Sequence, residues 1–221
     1  MFKIAILAGI TGLGFLACSS QPSSSSSQAK LTGMTPSLDS IPTDQLETAT
    51  LGAGCFWCIE AVLLEVEGVY SVVSGYSGGK EEDADYRTVS TGLTEHAEVV
   101  QVNFNPKVVS FADLLEIFWS THDPTTPNRQ GNDVGPQYRS AIFYHNEAQK
   151  AIAEQSKKEV ATQIWDDPIV TEIAPLNGFW KAEDYHQNYY NLTGDRNPYC
   201  TYVITPKVQK FRKQFKEKLK D

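Results

Sequence analysis

The sequence has few basic residues. In the 221-residue chain, 19 lysines and arginines stand against 27 aspartates and glutamates, which gives a formal net charge of −8. Proteins that bind nucleic acids usually present a patch of lysines and arginines, because contacts with phosphates supply much of their affinity. The acidic balance, with charges spread along the chain, therefore excludes a nucleic acid as partner or substrate.

Patterns that bind metals are also missing. The one close cysteine pair, Cys55 and Cys58, has no second pair that would complete a zinc site. The histidines His96, His122 and His186 are far apart and lack the spacing of metal ligands, so we expect them to make structural hydrogen bonds. We expect no bound metal or other cofactor.

Long apolar runs are missing after residue 17. Residues 4–17 are apolar and follow the basic Lys3, which is typical of an export signal too short to span a bilayer as a mature helix. Phe15-Leu16-Ala17-Cys18 resembles a bacterial lipoprotein processing site. This predicts a signal peptide over residues 1–17 and lipidation of Cys18. Simple secretion and a retained anchor are the alternatives.

The composition changes twice along the chain. Residues 18–45 are rich in Ser, Thr, Pro and Gln and have too few apolar residues to offset the entropy of ordering, which predicts a flexible tether. Residues 46–207 show no internal repeat and are interpreted as one catalytic domain, followed by a basic amphipathic helix over residues 208–221. We expect an exported, membrane-anchored monomer in the periplasm or at the cell surface.

Hydrophobic periodicity predicts alternating strands and helices. Strands are expected over residues 48–51, 69–75, 96–104, 138–144 and 169–174. Helices are expected after Cys55, over residues 110–121, from residue 146 and from residue 205. A Gly-rich loop over residues 76–85 and a long polar loop over residues 122–136 connect them. The order βαββαβαβ with a helical tail favours a two-layer α/β (α+β) sandwich, for which we expect a mixed, ferredoxin-like sheet.

Cys55 has the position of a reactive thiol. It is expected at a strand-to-helix turn, where the helix dipole would stabilise a thiolate and lower the pKa of the thiol. Without Cys18 the chain keeps three cysteines, an awkward count for a purely structural disulfide framework in an oxidising compartment. At least one thiol is therefore predicted to react, although the Cys-x-x-Cys pattern alone leaves a redox dithiol, a zinc half-site and coincidence open.

Several sequence blocks together carry a resemblance to a known family. The block Gly54-Cys55-Phe56-Trp57 resembles the catalytic signature of the A-type peptide methionine sulfoxide reductases. The resemblance extends over residues 49–207, where further blocks occur in the family's order: Gly75-Tyr76-Ser77-Gly78-Gly79, Tyr86-Arg87, His96-Ala97-Glu98, His122-Asp123-Pro124, Gln130-Gly131-Asn132-Asp133 with Gly135, Gln137-Tyr138-Arg139-Ser140 and Glu183-Asp184-Tyr185-His186-Gln187.

The resemblance implies both a reaction and its residues. Cys55 would attack the sulfur of methionine S-sulfoxide, peptide-bound and possibly free, become a sulfenic acid and release methionine. The implied general acid is Glu98, and strand alternation independently predicts that its side chain points the same way as apolar neighbours, where burial would keep it neutral. Other implied site residues are the hydrogen-bond donors Tyr86 and Tyr138 and the substrate-contacting Phe56, Trp57 and Asp133.

The resemblance also implies how the enzyme is recycled. A sulfenic acid must be resolved by a second thiol, and the resulting disulfide must be reduced. Cys200 resembles the family's resolving cysteine, and Cys58 is an alternative resolver, a relay partner or a residue that only packs. The external reductant would be thioredoxin or another dithiol, and the substrates would be oxidised proteins or peptides.

This chain departs from the family pattern at three places. Cys58 and Glu95 stand where relatives commonly have glycine, and no glycine separates Pro198 from Tyr199. Strand alternation predicts that Glu95 faces away from Glu98.

Two other functions remain open on the residues alone. One is a general dithiol oxidoreductase that uses Cys55 and Cys58, although such a protein has no use for Glu98 and the two tyrosines. The other is a non-enzymatic surface lipoprotein that binds partners through its basic tail, residues 207–220. The simpler interpretation of that tail is a helix docked by Val208, Phe211 and Phe215.

Overall fold

The structure is a computed structural model that describes residues 45–220. The predicted signal peptide, Cys18 and nearly all of the predicted tether lie outside the described residues. Eight strands are present in this part: β1 (Glu47–Ala53), β2 (Val69–Ser77), β3 (Ala97–Phe104), β4 (Arg129–Gln130), β5 (Asp133–Val134), β6 (Ser140–Tyr144), β7 (Glu172–Pro175) and β8 (Trp180–Lys181).

Six of the strands form one mixed sheet in the order β7-β6-β1-β3-β2-β8. All neighbours are antiparallel except β6 and β7, which are parallel. The four central strands, β6-β1-β3-β2, have the order of a ferredoxin-like sheet, so the predicted mixed α+β fold is confirmed. Strands β4 and β5 form a separate hairpin inside the loop that the sequence predicts after residue 121.

The described residues contain seven α-helical segments, several of them short. They are α1 (Phe56–Leu63), α2 (Tyr86–Val89), α3 (Phe111–Thr121), α4 (Glu147–Ser156), α5 (Thr162–Ile164), α6 (Tyr189–Thr193) and α7 (Thr205–Gln214). A π-helical turn, Lys157–Ala161, joins α4 to α5, and a second one, Cys200–Ile204, runs directly into α7. Short 3₁₀ turns lie at Glu81–Asp83, Pro136–Tyr138, Asp184–His186, Gly194–Arg196 and Lys216–Lys218.

Local capping signals set the start of the two longest connecting helices. The Ser110 hydroxyl accepts a hydrogen bond from the backbone N–H of Asp113, and the Asp113 carboxylate accepts one from the N–H of Ser110. This capping box satisfies two N–H groups that would otherwise lack partners at the start of α3. The Asn146 side chain does the same for the N–H of Gln149 in α4. Both starts agree with the sequence prediction, because capping depends on neighbours in sequence.

Element boundaries differ from the prediction where tertiary pairing extends or shortens a strand. Tyr76 was expected in a loop, but it lies in β2, fully buried and paired with Glu98 of β3. Tyr138 was expected to begin a strand, but it ends a 3₁₀ turn, and β6 begins at Ser140. Glu172, not Ile169, begins β7.

Helices α1, α3 and α7 contribute to the main core on one face of the sheet. The C-terminal helix ends at Gln214, short of the predicted residue 221, because a 3₁₀ turn follows it. It docks through Val208 and Phe211, and Phe215 is buried directly after it. Two ion pairs add to this packing: Arg212 binds both carboxylate oxygens of Glu65, and Lys218 lies 2.7 Å from a carboxylate oxygen of Asp113. The basic tail is therefore part of the same core as the rest of the domain. Among the described residues, no helix is long and apolar enough to cross a membrane.

Candidate active site

Cys55 lies at the turn between β1 and α1, as predicted. It is the N-cap residue of α1, and Gly54 before it has a φ of +83°. A Cβ atom at position 54 would come within 2.4 Å of the Gln130 side chain, which packs on the turn from β4. Glycine is required here both by the backbone conformation and by the close approach. The reversal places the Cys55 thiol at the mouth of the core, 8% exposed.

Glu98 is buried next to the start of α1. Its side chain is 2% exposed and accepts a hydrogen bond of 3.0 Å from the backbone N–H of Phe56, the residue after Cys55. Burial penalises the charged form and raises the pKa of Glu98 to about 8, although the Phe56 N–H opposes the shift. Glu98 therefore holds a proton at neutral pH, as a general acid must. Glu95 is exposed, as strand alternation predicts.

Cys55 at the N-cap and Cys58 in the first turn of α1 influence each other's protonation. Burial, the neighbouring Cys58 thiol and the charge of Glu98 raise the pKa of Cys55. Interaction with Cys55 lowers the pKa of Cys58 to about 6, with help from the charge of Lys207. The predicted lowering of the Cys55 pKa is therefore wrong, because burial has the largest effect on this thiol.

A pocket of about 200 Å³ opens at Cys55. It brings together the predicted nucleophile, acid, phenol donors and substrate contacts, and adds one further residue; its lining consists of Cys55, Phe56, Trp57, Tyr86, Glu98, Asp133, Tyr138 and Tyr199. A larger cleft of about 660 Å³ between α3 and α4 has no cysteine in its lining. Of the described cavities, the small one has the chemistry for thiol-based reduction.

Tyr86 and Tyr138 are suited to donate hydrogen bonds into the pocket. Burial and the nearby charges of Glu98 and Cys55 raise the pKa of both phenols, so they stay protonated. Glu183 fixes the backbone of Tyr86, whose N–H donates to a Glu183 oxygen at 2.9 Å. The other oxygen of the same carboxylate accepts from the hydroxyl of Tyr76 at 3.1 Å. The pocket therefore has neutral donors, and Glu183 links the backbone of one of them, Tyr86, to Tyr76 in β2.

Trp57 forms an aromatic wall of the pocket. Its ring stacks on Tyr189 with a centroid distance of 3.8 Å and an interplanar angle of 8°. Its indole N–H donates to Nδ1 of His186 at 3.1 Å. Phe56 is almost fully buried and packs against the same histidine, with ring centroids 5.0 Å apart. These contacts fix the rings in one orientation and leave an apolar surface beside Cys55.

Structural roles are predicted for three histidines, and all three are buried: His96, His122 and His186. His122 bonds the carbonyl oxygen of Phe118 at 2.6 Å and the Ser140 hydroxyl at 2.7 Å, and burial lowers its pKa to about 3. His96 bonds the carbonyl oxygen of Lys80 at 2.8 Å. Within residues 45–220, no group of three or more His, Cys, Asp or Glu residues is arranged to hold a metal ion.

Tyr199 is a pocket residue to which the sequence analysis assigned no role. Its hydroxyl donates to a carboxylate oxygen of Asp133 at 2.6 Å and lies 3.8 Å from the sulfur of Cys58. Asp133, predicted as a substrate contact, is therefore bound to Tyr199. The only sequence signal for Tyr199 is its place directly before Cys200.

Glu60 is a positioning residue outside the pocket that the sequence did not reveal. Its carboxylate is buried in α1 and accepts hydrogen bonds from the backbone N–H groups of Asn188 and Tyr189, at 2.9 and 3.3 Å. Asn188 has a φ of +51°, so the chain reverses sharply at this point. The two bonds hold Tyr189 against Trp57, and no local pattern in the sequence predicts a contact across 128 residues.

Cys200 lies outside the pocket lining. Its thiol is buried at the start of the π-helical turn, and burial together with the charge on Cys58 raises its pKa. Cys58, in contrast, lies in the first turn of the helix that Cys55 caps, and it raises the pKa of Cys55. The structure therefore favours Cys58 as the first thiol to react with Cys55, whereas the family resemblance points to Cys200.

Comparisons with known proteins agree with this site. Residues 47–219 match the family model described as peptide methionine sulfoxide reductase. The peptide methionine sulfoxide reductase MsrA of Leptospira borgpetersenii is 56% identical over 168 residues, which cover 76% of this chain and 94% of that protein. The corresponding MsrA of Sulfolobus acidocaldarius is 54% identical over 173 residues, which cover 78% of this chain and 97% of that protein.

Two solved structures are also similar to this chain. Mxr1 from Saccharomyces cerevisiae in reduced form has a TM-score of 0.64 at 35% identity, with 69% of this chain and 88% of that chain covered. Methionine sulfoxide reductase A of Corynebacterium diphtheriae has a TM-score of 0.62 at 35% identity, with 72% of this chain and 79% of that chain covered. Each is therefore similar to this chain over most of its own length.

Proposed function

The chain belongs to the peptide methionine sulfoxide reductase family, and from that premise we propose that the pocket at Cys55 reduces methionine S-sulfoxide in oxidised proteins and peptides. The protein is an oxidoreductase of protein repair. The observation that carries the proposed roles is the arrangement of a thiol and a protonated carboxyl group in one small pocket, with Glu98 bonded to the residue after Cys55.

The first step transfers oxygen from the substrate to Cys55. The Cys55 sulfur attacks the sulfoxide sulfur while Glu98 protonates the oxygen, because an unprotonated oxygen is a poor leaving group. The attack forms an S–S bond between Cys55 and the substrate. The protonated oxygen then moves to the Cys55 sulfur while the S–O bond and this new S–S bond break, which releases methionine and leaves Cys55 as a sulfenic acid. The substrate sulfur is reduced by two electrons and the Cys55 sulfur is oxidised by two.

Other pocket residues orient the substrate. Tyr86 and Tyr138 donate hydrogen bonds to the sulfoxide oxygen, where negative charge develops during the attack. The methyl group on sulfur packs against Phe56 and Trp57, because a group bonded to sulfur contacts aromatic rings favourably. The pocket volume of about 200 Å³ suits one side chain and leaves the rest of a peptide outside.

Cys58 resolves the sulfenic acid in this proposal. Its thiolate attacks the Cys55 sulfur, an S–S bond forms, and the oxygen leaves as water. Over both steps the two protons of that water come from the thiol of Cys55 and the carboxyl group of Glu98, which then regains a proton from solvent. Cys200 next attacks Cys58 and passes the disulfide on, and a thioredoxin-like dithiol reduces it.

A single turnover without reductant tests this sequence of steps. Incubation of the reduced chain with a peptide containing methionine S-sulfoxide is expected to release methionine and form a disulfide, while the R epimer does not react. In Cys200→Ser, mass mapping should find a Cys55–Cys58 disulfide, because these thiols lie at the N-cap and in the first turn of the same helix. In Cys58→Ser, a Cys55 sulfenic acid should persist longer. A Cys55–Cys200 disulfide formed at the wild-type rate in Cys58→Ser would contradict the role of Cys58.

We also propose that the mature chain begins at a lipidated Cys18 and is held at a membrane outside the cytoplasm. The support is the sequence of residues 1–45, with its export signal, its processing site and its Ser-rich tether. The tether would let the domain reach oxidised proteins near the membrane surface.

Metabolic labelling with radioactive palmitate tests the anchor. Expressed in a bacterium that processes lipoproteins, the full chain is expected to incorporate label and sediment with membranes, because an acyl chain adds apolar surface that partitions into lipid. Cys18→Ala should lose both properties, and Cys200→Ser serves as the matched cysteine control that keeps them. An unlabelled wild-type chain cleaved at another residue would contradict the proposal.

A further inference from the structure

The C-terminal segment has a charge opposite to that of the whole protein. Residues 205–220 contain six lysines and one arginine against one glutamate, in a chain whose formal net charge is −8. Three of the seven cationic side chains have partners in the fold. Arg212 binds Glu65, Lys218 binds Asp113, and the Lys220 ammonium group donates to a backbone carbonyl at 2.7 Å.

Three other lysines form what we call the basic flank of α7: Lys207, Lys210 and Lys213. Within residues 45–220, no carboxylate lies within ion-pair distance of any of them. Each is three residues from the next, so neighbouring lysines lie close together on the helix surface. Lys210 and Lys213 are exposed, and Lys207 is half-buried. The buried stripe of Val208 and Phe211 fixes the helix in the core, so the flank is held in place.

Lys207, at one end of the basic flank, lies near the redox-active thiols. Its positive charge helps to lower the pKa of Cys58. Lys207 and Lys210 also line a cavity of about 330 Å³ together with Gln130, the residue packed on the turn before Cys55. In addition, the turn that begins with Cys200 runs directly into α7.

We propose that the basic flank is the docking surface for the protein that reduces this enzyme, and that this partner presents acidic residues around its dithiol. The inference rests on the proposed function, because it concerns delivery of electrons to the Cys58 and Cys200 disulfide. Complementary charges steer association and act over about 10 Å at 0.1 M salt. Three lysines without carboxylate partners, on the helix that directly follows the turn of Cys200, supply such a field.

An acidic protein fits this surface better than an anionic membrane does. Asp123 also lines the cavity that contains Lys207 and Lys210, and the molecule as a whole is acidic. The negative charges around the flank would therefore repel a uniformly negative lipid surface. A protein with a local acidic patch can contact the flank without facing the remaining acidic surface.

Charge reversal of the exposed part of the flank tests the proposal. We compare the full chain with Lys210→Glu/Lys213→Glu and leave Lys207 unchanged, because its charge acts on Cys58. The matched control is Lys107→Glu/Lys158→Glu, which reverses two exposed lysines outside the flank. At low salt, kcat/KM for a purified thioredoxin of negative net charge is expected to fall about tenfold in the flank variant only. The difference should shrink at 0.5 M salt.

Turnover with dithiothreitol separates this proposal from the function itself. A small neutral reductant has no acidic patch, so the flank variant should keep the wild-type rate with it. An equal loss in both variants, or no loss in either, would overturn the docking surface. Loss of binding to anionic phosphatidylglycerol vesicles, with unchanged thioredoxin kinetics, would assign the flank to lipid instead. If the wild-type chain is inactive with dithiothreitol, the proposed function itself is refuted, and not only the docking surface.

Discussion

Cys55→Ser is expected to abolish the reduction of methionine S-sulfoxide, with a loss of at least about 10⁴-fold in kcat. A serine hydroxyl at this position is a far weaker nucleophile than the thiol and forms no sulfenic acid. Serine is close to cysteine in size and is compatible with the N-cap position of α1, so the fold should persist. The measurement is chromatographic detection of methionine released from an S-sulfoxide peptide with dithiothreitol as reductant.

Cys58→Ser is the matched control for this variant. It removes a thiol in the same helical turn but leaves the nucleophile, so in the absence of reductant one equivalent of methionine should still be released per chain. Thermal unfolding of both variants shows whether the core is preserved. Methionine release by Cys55→Ser at a rate near that of wild type would refute the assignment of Cys55.

Glu98→Gln is expected to lower kcat by about 10²–10⁴-fold, the usual contribution of a general acid. Glutamine keeps the size of the side chain, and its carbonyl oxygen can accept the hydrogen bond from Phe56. It cannot give a proton to the sulfoxide oxygen. Steady-state turnover across pH 5 to 10 measures the effect, and unfolding curves check that the variant is folded.

The pH profile distinguishes proton donation from a structural role. Burial raises the pKa of Glu98 to about 8, so the acid form predominates below that pH and is lost above it. Wild-type kcat should therefore fall as pH rises through about 8, and Glu98→Gln should lack this alkaline limb. Glu60→Gln changes a buried carboxyl group outside the pocket lining and should retain the limb. An unchanged limb in Glu98→Gln would show that another group titrates.

One physical cause acts on both reacting groups with opposite consequences. Removal from water keeps a proton on Glu98, which the leaving oxygen needs, and also on Cys55, which makes that thiol a weaker nucleophile at rest. The neighbouring Cys58 adds to the second effect, because it also raises the pKa of Cys55.

Features that depend on neighbours in sequence could be predicted from the sequence. The turn into Cys55, the capping of α3 and α4, and the burial of Glu98 follow from glycine, caps and strand alternation, which act over a few residues. The order of strands and helices followed for the same reason. The blocks shared with a known family then identified the reaction.

Features that depend on distant packing were decided only by the tertiary structure. Tyr199 reaches the pocket through Asp133, 66 residues away, and Glu60 holds Tyr189 across 129 residues. The pKa of Cys55 is raised, chiefly by burial, and that of Cys58 is lowered, chiefly by its interaction with Cys55. Burial and its electrostatic effects are sums over the whole fold, so no local pattern determines them.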